Sequence, residues 1–81
     1  FHALLAALLQ RAGDHKGAVQ SYQDALATPG ARPVWHMGQA ISLRELGRKD
    51  EARAAFQRAI DGGLPGELRT FVERQLAALG R

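Results

Sequence analysis

The feature that most restricts this chain is its self-similarity at an offset of 34 residues. The series Ala12, Gly13, Ala18, Tyr22, Ala25, Leu26 returns as Leu46, Gly47, Ala52, Phe56, Ala59, Ile60. At the same offset His2 matches His36, Ala6 matches Ala40, Leu9 matches Leu43 and Gln23 matches Gln57, while Phe1 against Trp35 is conservative. A fixed period of this size makes each copy one supersecondary unit. Neither unit can bury its outer stripe alone, so the copies must stack. Small residues at Ala6/Ala40 and Ala18/Ala52 let the two helices of a hairpin approach closely. Tyr22 and Phe56 are expected to plug the gap between those helices, and Ala25 and Ala59 to admit the next unit.

Local signals divide the chain into five helices. Phe1–Ala12 lacks a breaker and carries Leu5, Ala6, Leu9 and Ala12 at helical spacing. Gly13 suits the left-handed position that ends a helix, and Asp14 can cap the next one through free backbone N–H groups. That second helix, about 14–27, has a buried stripe of Ala18, Tyr22, Ala25 and Leu26. Gly17 inside it is expected to cost about 1 kcal/mol against Ala. Thr28–Arg32 contains Pro-Gly and breaks the chain. Pro33 then fits the first turn of a third helix, about 33–46, closed by Gly47. Arg48 is a poor N-cap, but Asp50 and Glu51 complement the dipole of a fourth helix, about 49–61. Its stripe of Ala52, Ala55, Phe56, Ala59 and Ile60 keeps the full helical spacing. Gly62-Gly63-Leu64 interrupts again. A fifth helix, about 65–79, sets Leu68, Phe71, Val72, Leu76 and Leu79 against a face of Glu67, Arg69, Thr70, Glu73, Arg74 and Gln75. One apolar and one charged face suit a helix that closes a stack, and Gly80 supplies the stop.

The bulk properties narrow the function classes. With 81 residues the chain is one small domain whose core has little margin. It has no cysteine, which excludes disulfides and thiolate zinc sites and leaves the compartment open: cytoplasm, or periplasm if the parent protein is membrane-anchored. Net charge is +3, but the basic residues are scattered rather than clustered as a nucleic-acid footprint would be. The grouping of Arg44, Arg48, Lys49, Arg53 and Arg58 lacks exposed aromatics to stack bases, so nucleic acid is not an expected partner. No segment reaches the roughly 18 apolar residues that span a bilayer, and none is expected to contact a membrane. Phe1–Leu9 has neither the basic leader nor the cleavage site of a signal peptide. The chain starts without Met inside a helical pattern, which reads as an excised piece of a longer protein.

Chemistry is sparse. Ser21 and Ser42 lie mid-helix without nucleophile-elbow glycines, and no base-and-orienter constellation surrounds them, so no catalytic residue is assigned and an enzyme is not expected. His2, His15 and His36 are the only imidazoles, and His2 and His36 lie on different hairpins at least about 8–10 Å apart. No metal or cofactor site is expected from so thin a ligand set.

With these residues in place, the chain resembles the tetratricopeptide repeat family over about residues 1–64. The repeat signature is Ala6, Gly13, Ala18, Tyr22, Ala25, Ala40, Gly47, Ala52, Phe56 and Ala59. The resemblance implies an all-α, right-handed solenoid: repeat 1 about 1–32, repeat 2 about 33–64, and a capping helix about 65–79. It departs from the family at Trp35, one position early, at Gln39 where Leu is usual, and at Ala40 where Gly is usual. The second hairpin is accordingly expected to pack less tightly. The family's first helices line a concave groove, and those positions fall here on Ala3, Ala7, Gln10, Met37, Ile41 and Arg44. This implies a protein–protein scaffold that takes a partner helix or extended segment with apolar anchors and a carboxylate. The alternative use of Met37 and Ile41 is packing against a neighbouring helix or an upstream repeat. The alternative function is self-association through Phe1, Leu4 and Leu8, with nucleic-acid binding a weaker competitor. A narrower resemblance, in Trp35–Leu43, the Ala52–Ala59 stripe, Gly63-Leu64 and the fifth helix, is to the C-terminal repeats of bacterial MSHA-type pilus biogenesis proteins.

Overall fold

A computed structural model describes residues 1–80. Five helices follow one another: α1 (His2–Arg11), α2 (His15–Leu26), α3 (Pro33–Glu45), α4 (Lys49–Gly62) and α5 (Gly66–Leu79). Each packs on the next, and α1 also touches α3, so the helices form the consecutive layers of a tetratricopeptide-like α-solenoid. No strand interrupts them among the described residues. Helix ends depart from the sequence reading by no more than one residue, as frayed ends do. At α4 the helix runs on through Gly62 before Gly63 turns out at a φ of 92°.

The two hairpin turns repeat down to the hydrogen bond. Gly13 has a φ of 85°; its N–H donates to Gln10 O at 3.1 Å, and the Asp14 N–H donates to Leu9 O at 2.9 Å. Gly47 has a φ of 76°; its N–H donates to Arg44 O at 2.9 Å, and the Arg48 N–H donates to Leu43 O at 3.0 Å. This paired closure satisfies two orphan carbonyls at each helix end and needs a left-handed residue, which glycine adopts without strain. The entries into the second helices differ. Asp14 caps α2, its Oδ1 accepting from the Gly17 N–H at 3.0 Å. A Cβ on Gly17 would meet Asp14 Oδ2 at 2.5 Å, so this glycine makes room for the cap rather than weakening a helix interior. Arg48 makes no capping bond at α4 and instead pairs with Glu51 in the first turn.

Burial follows the repeat. Ala6, Ala18, Ala40, Ala52 and Ala59 expose no surface, and Tyr22 and Ala25 are buried. The aromatics reach further than their own hairpins. The Tyr22 ring of α2 lies against Gly38 of α3, where a Cβ would meet Tyr22 Oη at 2.5 Å. Phe56 of α4 meets Phe71 of α5 edge to face, with ring centroids 6.3 Å apart. Each aromatic therefore binds its hairpin to the following element. The second hairpin is not the looser one. The main core joins Ala40, Leu43, Ala52, Ala55, Phe56, Val72 and Leu79, spanning α3, α4 and α5. Gln39, at the position where the family has Leu, is buried and donates its amide to Val19 O at 3.3 Å and Gln23 Oε1 at 3.2 Å. It replaces an apolar contact with α2 by hydrogen bonds to it. Arg53 donates to Leu79 O at 2.8 Å, fastening α4 to the C-terminal end of α5 where a cation favours the helix dipole. Gly80 follows α5 at a φ of −78°, so the stop there is not a left-handed one.

Candidate functional site

Ala3, Ala7 and Gln10 lie at i, i+4 and i+7 on α1, and Met37, Ile41 and Arg44 repeat that spacing on α3, so each trio occupies one helix face. All six are half-buried. Met37 and Ile41 pack on the core that α4 and α5 complete, which leaves each of them part of its side chain to offer. The two polar members are already engaged. Gln10 Nε2 donates to Gly38 O at 2.8 Å and to Ser42 Oγ at 2.9 Å. Arg44 donates to Gln75 Oε1 on α5 and pairs with Glu45 at 2.9 Å. Of the six, Arg44 is the one that can meet a carboxylate, since its side chain keeps 31% of its surface open.

A knot that the sequence reading missed lies beneath this face. Ser42 is fully buried, accepts from Gln10 and stands 3.0 Å from His15 Nδ1. One hydroxyl thus joins α1, α2 and α3. Ser42 Oγ has no surface from which to meet a substrate, although His15 is only half-buried, so the geometry fits a hydrogen-bonded junction. The signal was present in a polar residue on the stripe of α3 that faces the first hairpin. It needed the register between hairpins to be interpreted.

His36 sits partly buried, with its Nδ1 enclosed and lacking a hydrogen-bond partner. Burial, then the Arg58 guanidinium, lower its pKa below the usual imidazole value. A base whose folded pKa is depressed binds its proton more readily once the chain unfolds. Its stabilising neutral form is fully present above the unfolded value of about 6.5, and the contribution is lost as pH falls below that. The melting temperature is expected to drop between about pH 7.5 and 5.5, and His36→Gln to flatten that drop. Equal slopes for the two proteins in a thermal scan would refute this.

Among the described residues no cluster of three or more His, Cys, Asp or Glu is placed to hold a metal ion, and no helix is long and apolar enough to cross a membrane. One apolar face is open at the start of the chain: Phe1, just ahead of α1, is 93% exposed, and on α1 Leu4 is 67% and Leu8 55% exposed.

Residues 37–61 match the family model described as tetratricopeptide repeat. No curated protein and no solved structure matches the chain. The matched segment runs from Met37 on α3 to Asp61 on α4 and carries the Gly47 turn and the Ala52–Phe56–Ala59 stripe. Helix order, the duplicated turn and this match over 25 of the 81 residues together support a likeness to the tetratricopeptide repeat family.

Proposed function

We propose that this chain is a scaffold that holds a segment of another protein along the face shared by α1 and α3. Tetratricopeptide repeats mediate protein–protein interaction, and the groove reading gives that general role a location. The observation that carries it is the alignment of six half-buried residues on two touching helices, with Met37 and Ile41 backed by the core. A firm apolar floor lowers the ordering cost of binding, and the thioether of Met37 adapts to irregular surfaces. An amphipathic helix with a carboxylate toward Arg44 suits this face. As a narrower reading, the resemblance carried by Trp35–Leu43 and the fifth helix supports a place in bacterial pilus assembly.

The test is a titration of the protein with a blocked amphipathic helical peptide of Leu, Ala and Glu. Shifts of the Met37 and Ile41 methyl signals are expected, with Ala7→Arg weakening binding by about tenfold or more. Ile41→Glu is a poorer probe, because Ile41 also packs on the core. Peptide shifts confined to other helices, or an Ala7→Arg protein that binds as well as the parent, would refute the groove.

A second reading is self-association. It is favoured by the exposed Phe1, Leu4 and Leu8, since apolar side chains grouped on one helix face mark contact surfaces. Sedimentation across the micromolar range decides it: a dimer abolished by Leu4→Lys supports this reading, and a monomer throughout removes it.

A further inference from the structure

A second recess lies on the other side of α3. Counting by helical periodicity, Gln39 and Leu43 face away from Met37, Ile41 and Arg44. They form the floor of a crevice of about 350 Å³ walled by α2 and α4. This volume is within the range of small binding sites. Ala54 stands midway along the α4 wall, between Arg48 and Arg58, and its small side chain leaves the slot open.

The polar groups around the slot are not equivalent. Arg48 is paired with Glu51, so its charge is offset. Arg58 makes no ion pair among the described residues. Gln23 uses its Oε1 to accept from Gln39, which fixes the amide and leaves its NH2 to donate. Gln20 uses its NH2 on Asp24 at 3.1 Å, which leaves its Oε1 to accept. The slot thus offers one free cation, one amide donor and one amide acceptor over a floor that includes buried Leu43. A peptide carries the complement of all three: a side-chain carboxylate, a backbone carbonyl and a backbone N–H.

We propose that the crevice between α2 and α4 binds an acidic peptide segment of another protein, with a Glu or Asp carboxylate on Arg58 and the peptide backbone between Gln20 and Gln23. A nucleic-acid backbone fits less well. It needs a row of free cations, whereas here Glu51 sits on the wall and already holds the second guanidinium. The site is separate from the groove and would let the module hold two segments on opposite sides of α3.

The test is an amide NMR titration of the protein with a blocked peptide of alternating Glu and Ala, and with its Gln-for-Glu counterpart. Saturable shifts of the Gln20, Gln23 and Gln39 side-chain amides are expected with the acidic peptide. The Gln peptide and the Arg58→Gln protein should each bind about tenfold more weakly or worse, as loss of a charge-assisted hydrogen bond requires. Ala54→Trp, which fills the slot without changing charge, should abolish the shifts, and Arg69→Gln on α5 should leave them unchanged. Equal responses to the two peptides, shifts at Met37 and Ile41 in place of the glutamines, or no saturable response would overturn the proposal. Tighter Arg58-dependent binding of a short oligonucleotide than of the acidic peptide would also overturn it.

Discussion

Phe56→Ala is expected to leave the domain largely unfolded at physiological temperature. Phe56 is among the largest side chains with no exposed surface, and it lies where α3, α4 and α5 converge. Truncating a buried phenylalanine costs about 3–5 kcal/mol. A chain of this length has a total stability of only about 4–12 kcal/mol. The edge-to-face contact with Phe71 is lost as well, so α5 loses an anchor along with the hairpin core. A thermal melt followed by circular dichroism should show a midpoint at least about 12 °C lower. Phe56→Leu should recover much of that loss, because it keeps most of the volume. A midpoint unchanged by Phe56→Ala would mean that the stack does not depend on its inter-element aromatics.

Gly38→Leu should be comparably damaging, for the opposite reason. It would give the second repeat the residue that the first repeat has, since Leu4 is the equivalent position. Leu4 is exposed, whereas Gly38 is buried under the Tyr22 ring. Even a single added carbon would meet Tyr22 Oη at 2.5 Å. Overpacking of this kind costs about 1–3 kcal/mol or more, and here it falls on the joint between the hairpins. The Gln10 bonds to Gly38 O and Ser42 Oγ cross the same joint and should be lost with it. Hydrogen exchange should therefore show α1 and α2 losing protection before α3, α4 and α5. Tyr22→Leu in the same protein should cost less than the two changes separately, the mark of a shared contact. Uniform loss of protection along the chain would show that the joint is not the weak seam.

Much of this architecture could be read from residue order, because its causes are local or periodic. The glycine stops at Gly13 and Gly47, the Asp14 cap and the alanine stripes each follow from spacing within one hairpin. What spacing could not supply was contact between units. Gln10 looked like a groove residue, yet its amide is directed into Ser42 and Gly38 of the other hairpin. Gln39 looked like a packing defect and is a hydrogen-bonded bridge to α2. Tyr22 looked like a plug for its own hairpin and closes on the next one. In each case the partner lies on another helix pair, and helical period says nothing about register between pairs.

The outward face of α5 gives the molecule a direction. Glu67, Arg69, Glu73 and Arg74 are exposed on that side, and Arg69 is held by Glu73 at 3.6 Å. At the opposite end Phe1, Leu4 and Leu8 are bare to solvent. An added hairpin spliced ahead of α1 could cover those side chains and lengthen the array. The same hairpin spliced after α5 would have to strip water from four ionised groups, and the large apolar side chains it would find there, Leu68, Phe71 and Leu76, are already half-buried. Engineered extensions of this module should therefore be built from its amino-terminal side only.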